Sequence, residues 1–450
     1  MKVLLAVVVL ATILTSAAWA QRPLSGNVSF TLDHFPNAPS APSGVVPTAS
    51  GATEIRIRLF ADSAVKRGVL TLRAAGYVEG LVADRMIGDT SRGAIVRPQE
   101  LYAELAGRTV DFRAGFSRIV WGRLDELQPG DAINPLDLSK FFFEGRSAAR
   151  LPVLVFRGRW HFGEGGTLEG VLLPRFQPGH FDQLDENSSP FNLVPREVCG
   201  QGPTSSFAPV CVRPAVRVEE PAAAWRNLQG GARVSATTGR VDWAVAAFRG
   251  FEALPLYRVE LRPIAGIIFP TLIGSHPRTS MIAGDFESVL GQWGIRGEVA
   301  AFVEDHFQAG DATGVVGGHS IQSGAGVDRT SGSYRFTASV LVDYRTAGPA
   351  ESPRDDDGPA GVGRHKDRDT DLTLVGSAER PFARETRVLR GLALYNVSEG
   401  TAFLRAVAAA SVRDNLWLEA SGGLFVGEGD DVVGLFRDRD FLYARVKYYF

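Results

Sequence analysis

Lysine, cysteine and long apolar runs are what this 450-residue chain has least of. Past the first twenty residues lysine occurs only at Lys66, Lys140, Lys366 and Lys447. The remaining cations are arginines, which stay charged in almost any surroundings. With a formal net charge of -2 there is no basic excess to hold a nucleic acid. The seven histidines, His34, His161, His180, His276, His306, His319 and His365, have no metal-ligand spacing. No H-E-x-x-H, G-x-S-x-G or lysine-bearing phosphate loop occurs, so the reading is of no enzyme, no metal and no cofactor. A Ser/His pair assembled from distant strands would leave no motif, and that alternative requires the two side chains in contact. No run past the N-terminus approaches 18 apolar residues, which excludes a helical membrane span.

The two cysteines, Cys199 and Cys211, lie in a Pro/Ser-rich stretch. In an exported chain an even pair reads as a disulfide closing one loop, here within 177–224; a metal site lacks further ligands nearby. Export itself is expected from residues 1–20. Lys2 precedes a short apolar run, and Ala18-Trp19-Ala20 offers small residues for cleavage before Gln21. A membrane anchor is the alternative, but the run is shorter than the roughly 20 residues a span needs.

What the chain has in quantity is alternation. Fifty glycines and a steady supply of Arg, Phe and Val suit turns and half-exposed strands. Ile55, Ile57 and Leu59 oppose Arg56 and Arg58, and Phe112, Ala114 and Phe116 oppose Asp111, Arg113 and Ser117. Leu154, Phe156, Trp160 and Phe162 oppose Arg157, Arg159 and His161. The same pattern runs through 69–77, 101–110, 168–176, 232–238, 241–248, 295–303, 335–345, 372–378, 388–396, 402–410 and 416–426. In the last ten residues Leu442, Ala444, Val446, Tyr448 and Phe450 form one face, and Phe441, Tyr443, Arg445, Lys447 and Tyr449 the other. A soluble sandwich also alternates, but such length without a linker argues against it. The expected fold is all-β: a transmembrane antiparallel β-barrel over residues 21–450, of about 16 strands with 14–18 allowed. Outer-membrane lipid would meet the apolar face, and Phe450 resembles the terminal signal read by the barrel-insertion machinery.

Connections are unequal. Some are as short as Thr238-Gly239-Arg240; others span 177–224, 309–333 and 348–369. The long ones are expected outside the cell. Asp355, Asp356 and Asp357 read as a solvated loop rather than a calcium site. Trp121, Trp160, Trp243, Trp293 and Trp417 fall near expected strand ends, as girdle residues would.

Residues 115–150 break the alternation. Trp121-Gly122 is followed by Asp131 and by Ile133-Asn134-Pro135-Leu136-Asp137-Leu138-Ser139. These stretches resemble a poorly characterised family of porin-like outer-membrane proteins of Gram-negative bacteria, which carry W-G followed by I-N-P-x-D-x-S. Ala283-Gly284-Asp285-Phe286, Trp293-Gly294-Ile295-Arg296-Gly297-Glu298 and Phe436-Arg437-Asp438 are similar to it as well. The resemblance implies a barrel channel and names no substrate; the Cys199–Cys211 loop departs from it. Folded inward, the segment would narrow the lumen, with Asp131, Asn134, Asp137 and Ser139 at the constriction. The alternative is a surface turn.

The face assigned to the lumen carries Arg56, Arg58, Arg73, Arg113, Arg157, Arg159, Arg233, Arg296, Arg345, Arg390, Arg445 and Lys447. Rings of Arg favour anions in pores, unless they pair with carboxylates on neighbouring strands and stiffen the wall. The expected function is passive diffusion of small hydrophilic solutes through an outer-membrane channel. The alternative is a non-conducting barrel serving as a sleeve for an export or electron-transfer complex.

Overall fold

The computed structural model describes residues 24–37, 45–46, 52–85, 90–180, 191, 197–200, 210–212, 215–264, 267–308, 315–347, 368–429 and 431–450. The expected signal peptide and the run of aspartates at 355–357 lie outside them.

Eighteen strands form one closed antiparallel sheet. In chain order they are β1 (Ser25–Phe35), β2 (Ala52–Arg67), β3 (Leu70–Arg85), β4 (Thr90–Ala106), β5 (Val110–Ser117) and β6 (Val153–Phe162). Then come β7 (Gly166–Leu173), β8 (Gln229–Thr238), β9 (Val241–Phe251), β10 (Arg278–Leu290), β11 (Trp293–Gln308) and β12 (Val315–Ser331). The last six are β13 (Tyr334–Ala347), β14 (Arg368–Phe382), β15 (Arg387–Asn396), β16 (Thr401–Arg413), β17 (Leu416–Val426) and β18 (Phe441–Tyr449). Each pairs with its successor, and β18 closes the ring on β1 in the register Asn27↔Tyr449 to His34↔Leu442. Gly26 and Phe450 exchange both backbone hydrogen bonds at 3.1 Å. Closure leaves no sheet edge, which a lipid-embedded sheet requires.

Eighteen corrects the central estimate of about 16. The strands at β1, β10 and β12 are those the alternation did not reveal, and β12 lies within what reads in sequence as the loop 309–333.

The polarity of this sheet is inverted relative to a soluble protein. On β18 Leu442 is 59 % exposed and Tyr448 51 %, while Phe441 and Tyr443 are buried. On β1 Val28, Phe30 and Leu32 are exposed and Ser29, Thr31 and Asp33 buried. On β2 Ile55, Ile57 and Leu59 are exposed and Glu54 is buried. Apolar side chains outside and polar ones inside fit a barrel whose outer solvent is lipid.

Connections leaving the even-numbered strands β2 to β16 are tight turns, at the end of the barrel that holds Ser25 and Phe450. The β14–β15 turn is made by Ala383, Arg384 and Glu385, all with positive φ. All the long connections gather at the other end. Two small sheets stand there. Ala215–Glu219 runs parallel to Ile267–Ser275, which pairs antiparallel with Leu256–Ile264. The second joins Val45–Val46, Glu197–Gly200 and Val210–Val212, with the backbones of Cys199 and Cys211 opposite one another. The side chains of both cysteines lie outside the described residues.

Exposed aromatics mark the turn end: Trp160, Phe162, Trp293, Tyr334, Phe336, Tyr448 and Phe450. The girdle reading fails for two tryptophans. Trp121 is buried inside the barrel, and Trp417 sits opposite Lys447, in step with the inward-facing Glu419 and Arg445.

Candidate functional site

Between β5 and β6 the chain leaves the sheet, and residues 118–152 pack against inward-facing side chains from nearly all round the barrel. Asn134 holds the two ends of this segment together. Its Oδ1 accepts from the Ile119 amide at 2.8 Å, and its Nδ2 donates to the Leu151 carbonyl at 2.6 Å. Asp131 accepts from Arg150 at 2.7 Å and Arg146 at 3.1 Å. Asp137 caps α1 (Leu138–Glu144) through the Lys140 amide and accepts from the Ser139 hydroxyl at 2.6 Å. A second short helix, α2 (Arg146–Ala149), follows. Asp131, Asn134, Asp137 and Ser139 are all buried. They brace the segment internally and do not present themselves to a passage.

Two contact zones fix the segment to the wall. In the first, Trp121 lies edge-on to Phe248 of β9, and its Nε1 donates to Glu169 of β7 at 2.7 Å. Glu298 of β11, itself buried, accepts from the backbone amides of Arg123, Leu124 and Gly130. Gly122 makes this approach feasible. Its φ is +102°, and a Cβ there would sit 2.9 Å from a Glu298 carboxylate oxygen. Arg123 donates to Asp285 of β10 at 2.5 Å and Glu287 at 3.0 Å, and Arg296 reaches Asp125 at 2.9 Å. Leu124 presses on β12, where a Cβ at Gly324 or Gly326 would come within 3.0 Å of its methyls. The Trp121-Gly122, Asp285 and Arg296–Glu298 stretches, far apart in sequence, thus meet at one place.

The second zone is aromatic. Phe142, almost wholly buried, stacks on Phe191 and packs against Phe403, Phe425 and Phe436 at 4.9–5.4 Å between ring centroids. Phe143 meets Phe441 at 4.4 Å. Beside it Glu144 accepts from Arg58 of β2 at 3.2 Å and Arg445 of β18 at 2.8 Å. Burial alone would raise the Glu144 carboxyl, but these guanidiniums outweigh it and hold it well below the usual carboxylate range. Lys140 donates to the Tyr77 hydroxyl, and burial pushes its ammonium down to about 8.

Each lumen arginine expected from the sequence has a carboxylate partner. Arg56 pairs with Asp33 and Glu54, Arg58 with Glu79, and Arg73 with Asp62. Arg113 and Arg157 share Glu104, and Arg159 meets Asp111. Arg233 joins Asp285, Arg296 also Asp328, Arg345 Asp343, and Arg390 Glu379. Lys447 instead lies over the Tyr449 ring at 6.0 Å. Such pairing, mostly between strands and within one strand for Arg345–Asp343 and Arg56–Glu54, competes with an anion-attracting ring.

Sequence reasoning missed the aromatic zone. Its one signal was the consecutive Phe141-Phe142-Phe143 inside an otherwise polar stretch.

No family model matches the sequence, and no curated protein matches it. Among solved structures, OccAB4 of Acinetobacter baumannii has a TM-score of 0.47 at 8% identity, covering 96% of this chain and 99% of its own. OccK7 (OpdD) of Pseudomonas aeruginosa gives 0.48 at 10%, covering 95% and 98%. A BenF-like porin from Pseudomonas fluorescens Pf-5 gives 0.47 at 11%, covering 95% and 98%. Likeness at this level speaks to neither solute nor mechanism.

Proposed function

We propose that the chain is an outer-membrane channel through which small hydrophilic solutes diffuse passively, narrowed by residues 118–152. The observation that carries this reading is the inverted polarity of the closed sheet. Exposed Leu, Ile, Val and Phe band the outside while the inside carries paired Arg, Asp and Glu. A lumen of that character is hydrated, and a barrel of about this strand number leaves an aqueous channel unless it is filled. A solute crosses by exchanging water for hydrogen bonds to fixed guanidinium and carboxylate groups, with no cofactor and no covalent step. Because each of the expected arginines is compensated by a carboxylate, selectivity between anions and cations is weak. Export through residues 1–20, insertion guided by Phe450 and a Cys199–Cys211 bridge belong to the same proposal.

Purified protein in a planar bilayer tests it. Discrete small conductance steps are expected, with a reversal potential close to zero in a salt gradient. A silent barrel that is nonetheless inserted would overturn the channel in favour of the sleeve. A strongly ion-selective pore would overturn the compensated lumen.

A further inference from the structure

The β14–β15 hairpin treats its inner and outer arginines differently. Inside, Arg390 is locked to Glu379 at 2.5 Å. Outside, Arg380 and Arg387 form no ion pair among the described residues, although both stand on the apolar face. Arg380 lies over the Tyr334 ring at 4.9 Å, and Arg387 is its diagonal neighbour, two residues from the Leu389 that faces Arg380. Facing pairs of this kind bring diagonal side chains to roughly 7–8 Å of one another. A cation held among lipid-facing side chains without a counter-ion is costly unless an anion arrives from the membrane.

Beside this pair the outer wall is hollow. Ala378, Gly391, Ala406 and Gly422 face one another in a row across β14 to β17, and Ala408, Ala420 and Ala444 form the next row, across β16 to β18. Leu32, Leu389 and Leu442 stand up around this floor. The resulting groove, of about 850 Å³, is bounded at one end by Tyr334 and Arg380. Its lining is overwhelmingly apolar, and its one cationic end lies at the girdle of exposed aromatics, the level of lipid headgroups.

We infer that this groove binds an anionic phospholipid, whose phosphate pairs with Arg380 and Arg387 while an acyl chain lies along the alanine and glycine floor. The inference rests on the membrane-barrel reading. Charge complementarity selects the occupant: a second copy of the barrel would present another apolar face and leave both arginines unpaired.

The test reconstitutes the full-length protein in nanodiscs of phosphatidylglycerol and phosphatidylcholine in equal amounts. Lipid retained on the barrel is then counted by native mass spectrometry. Phosphatidylglycerol should be retained over phosphatidylcholine on the order of tenfold, given what basic side chains contribute beside anionic lipid. The R380Q/R387Q variant should lose that preference, and A406L, which fills the floor, should reduce retention of both lipids. Equal retention by the wild-type protein, or an unchanged preference in R380Q/R387Q, would overturn the inference. So would a dimer that A406L dissolves. Failure to insert into either lipid would instead refute the membrane-barrel reading, so the two failures are distinguishable.

Discussion

The lumen has two belts that obey different rules. Where the inward segment packs, the wall is dry: Asp131 and Glu298 are buried, and Trp121 and Phe142 fill the space like a soluble core. Nearer the turn end the wall is wet. The side chains of Arg73, Arg159 and Arg390 are 38%, 31% and 53% exposed, against 12% for Arg56 and 11% for Arg445. The same residue type, paired with the same kind of partner, therefore does two jobs. In the dry belt a broken pair strands a buried charge; in the wet belt water replaces the partner at little cost.

The two belts differ most at the aromatic zone. Phe142→Ala removes the ring at its centre and should cost about 3–5 kcal/mol, read as a fall in the urea midpoint of refolded barrels. A next, smaller effect is expected at Glu298→Ala. Three backbone amides lose their acceptor, so stability should drop by about 1–3 kcal/mol and open-channel current should become noisier. Both results would mark the dry belt as a packed core; negligible losses would equate it with the wet one.

Acid titration sharpens the contrast further. A carboxyl lowered by its partners adds stability above its unfolded value, near about 4.3, and loses it as pH falls through the folded value. Glu144 is such a group, since Arg58 and Arg445 outweigh the effect of burial. The stability difference between the wild type and Glu144→Gln should therefore hold level from pH 7 to about 5 and shrink below that. The smallest effect belongs to the wet belt: Arg390→Gln should change stability by less than about 1 kcal/mol, measured in the same urea titration.

The two belts also explain what was legible in the sequence. Alternation is clean where charged residues face in and aromatic ones face out, as in β6 with Arg157 and Arg159 against Phe156 and Trp160. In β10 the alternation fails because Met281 and Ala283 face the packed segment and are as apolar as Ile282 on the outside. In β12 it fails because Gly324 and Gly326 make room for Leu124, so a strand resembles a glycine-rich loop. β1 follows closely on the expected cleavage site, and its alternation through Val28, Phe30 and Leu32 is too short to stand out beside the apolar N-terminal run. The I-N-P-x-D-x-S stretch marked the segment, but a motif cannot show that its polar residues point inward to one another. Only the paired register of the wall reveals which carboxylates, Glu169, Asp285 and Glu298, receive Trp121-Gly122-Arg123.

In the proposed channel, residues 118–152 set the width. Single-channel conductance of the wild-type barrel against a variant with 119–151 replaced by a short Gly/Ser linker tests it most directly, after both are shown to refold and insert. The variant should conduct in steps several-fold larger than the wild type. Equal steps in the two proteins would contradict the claim.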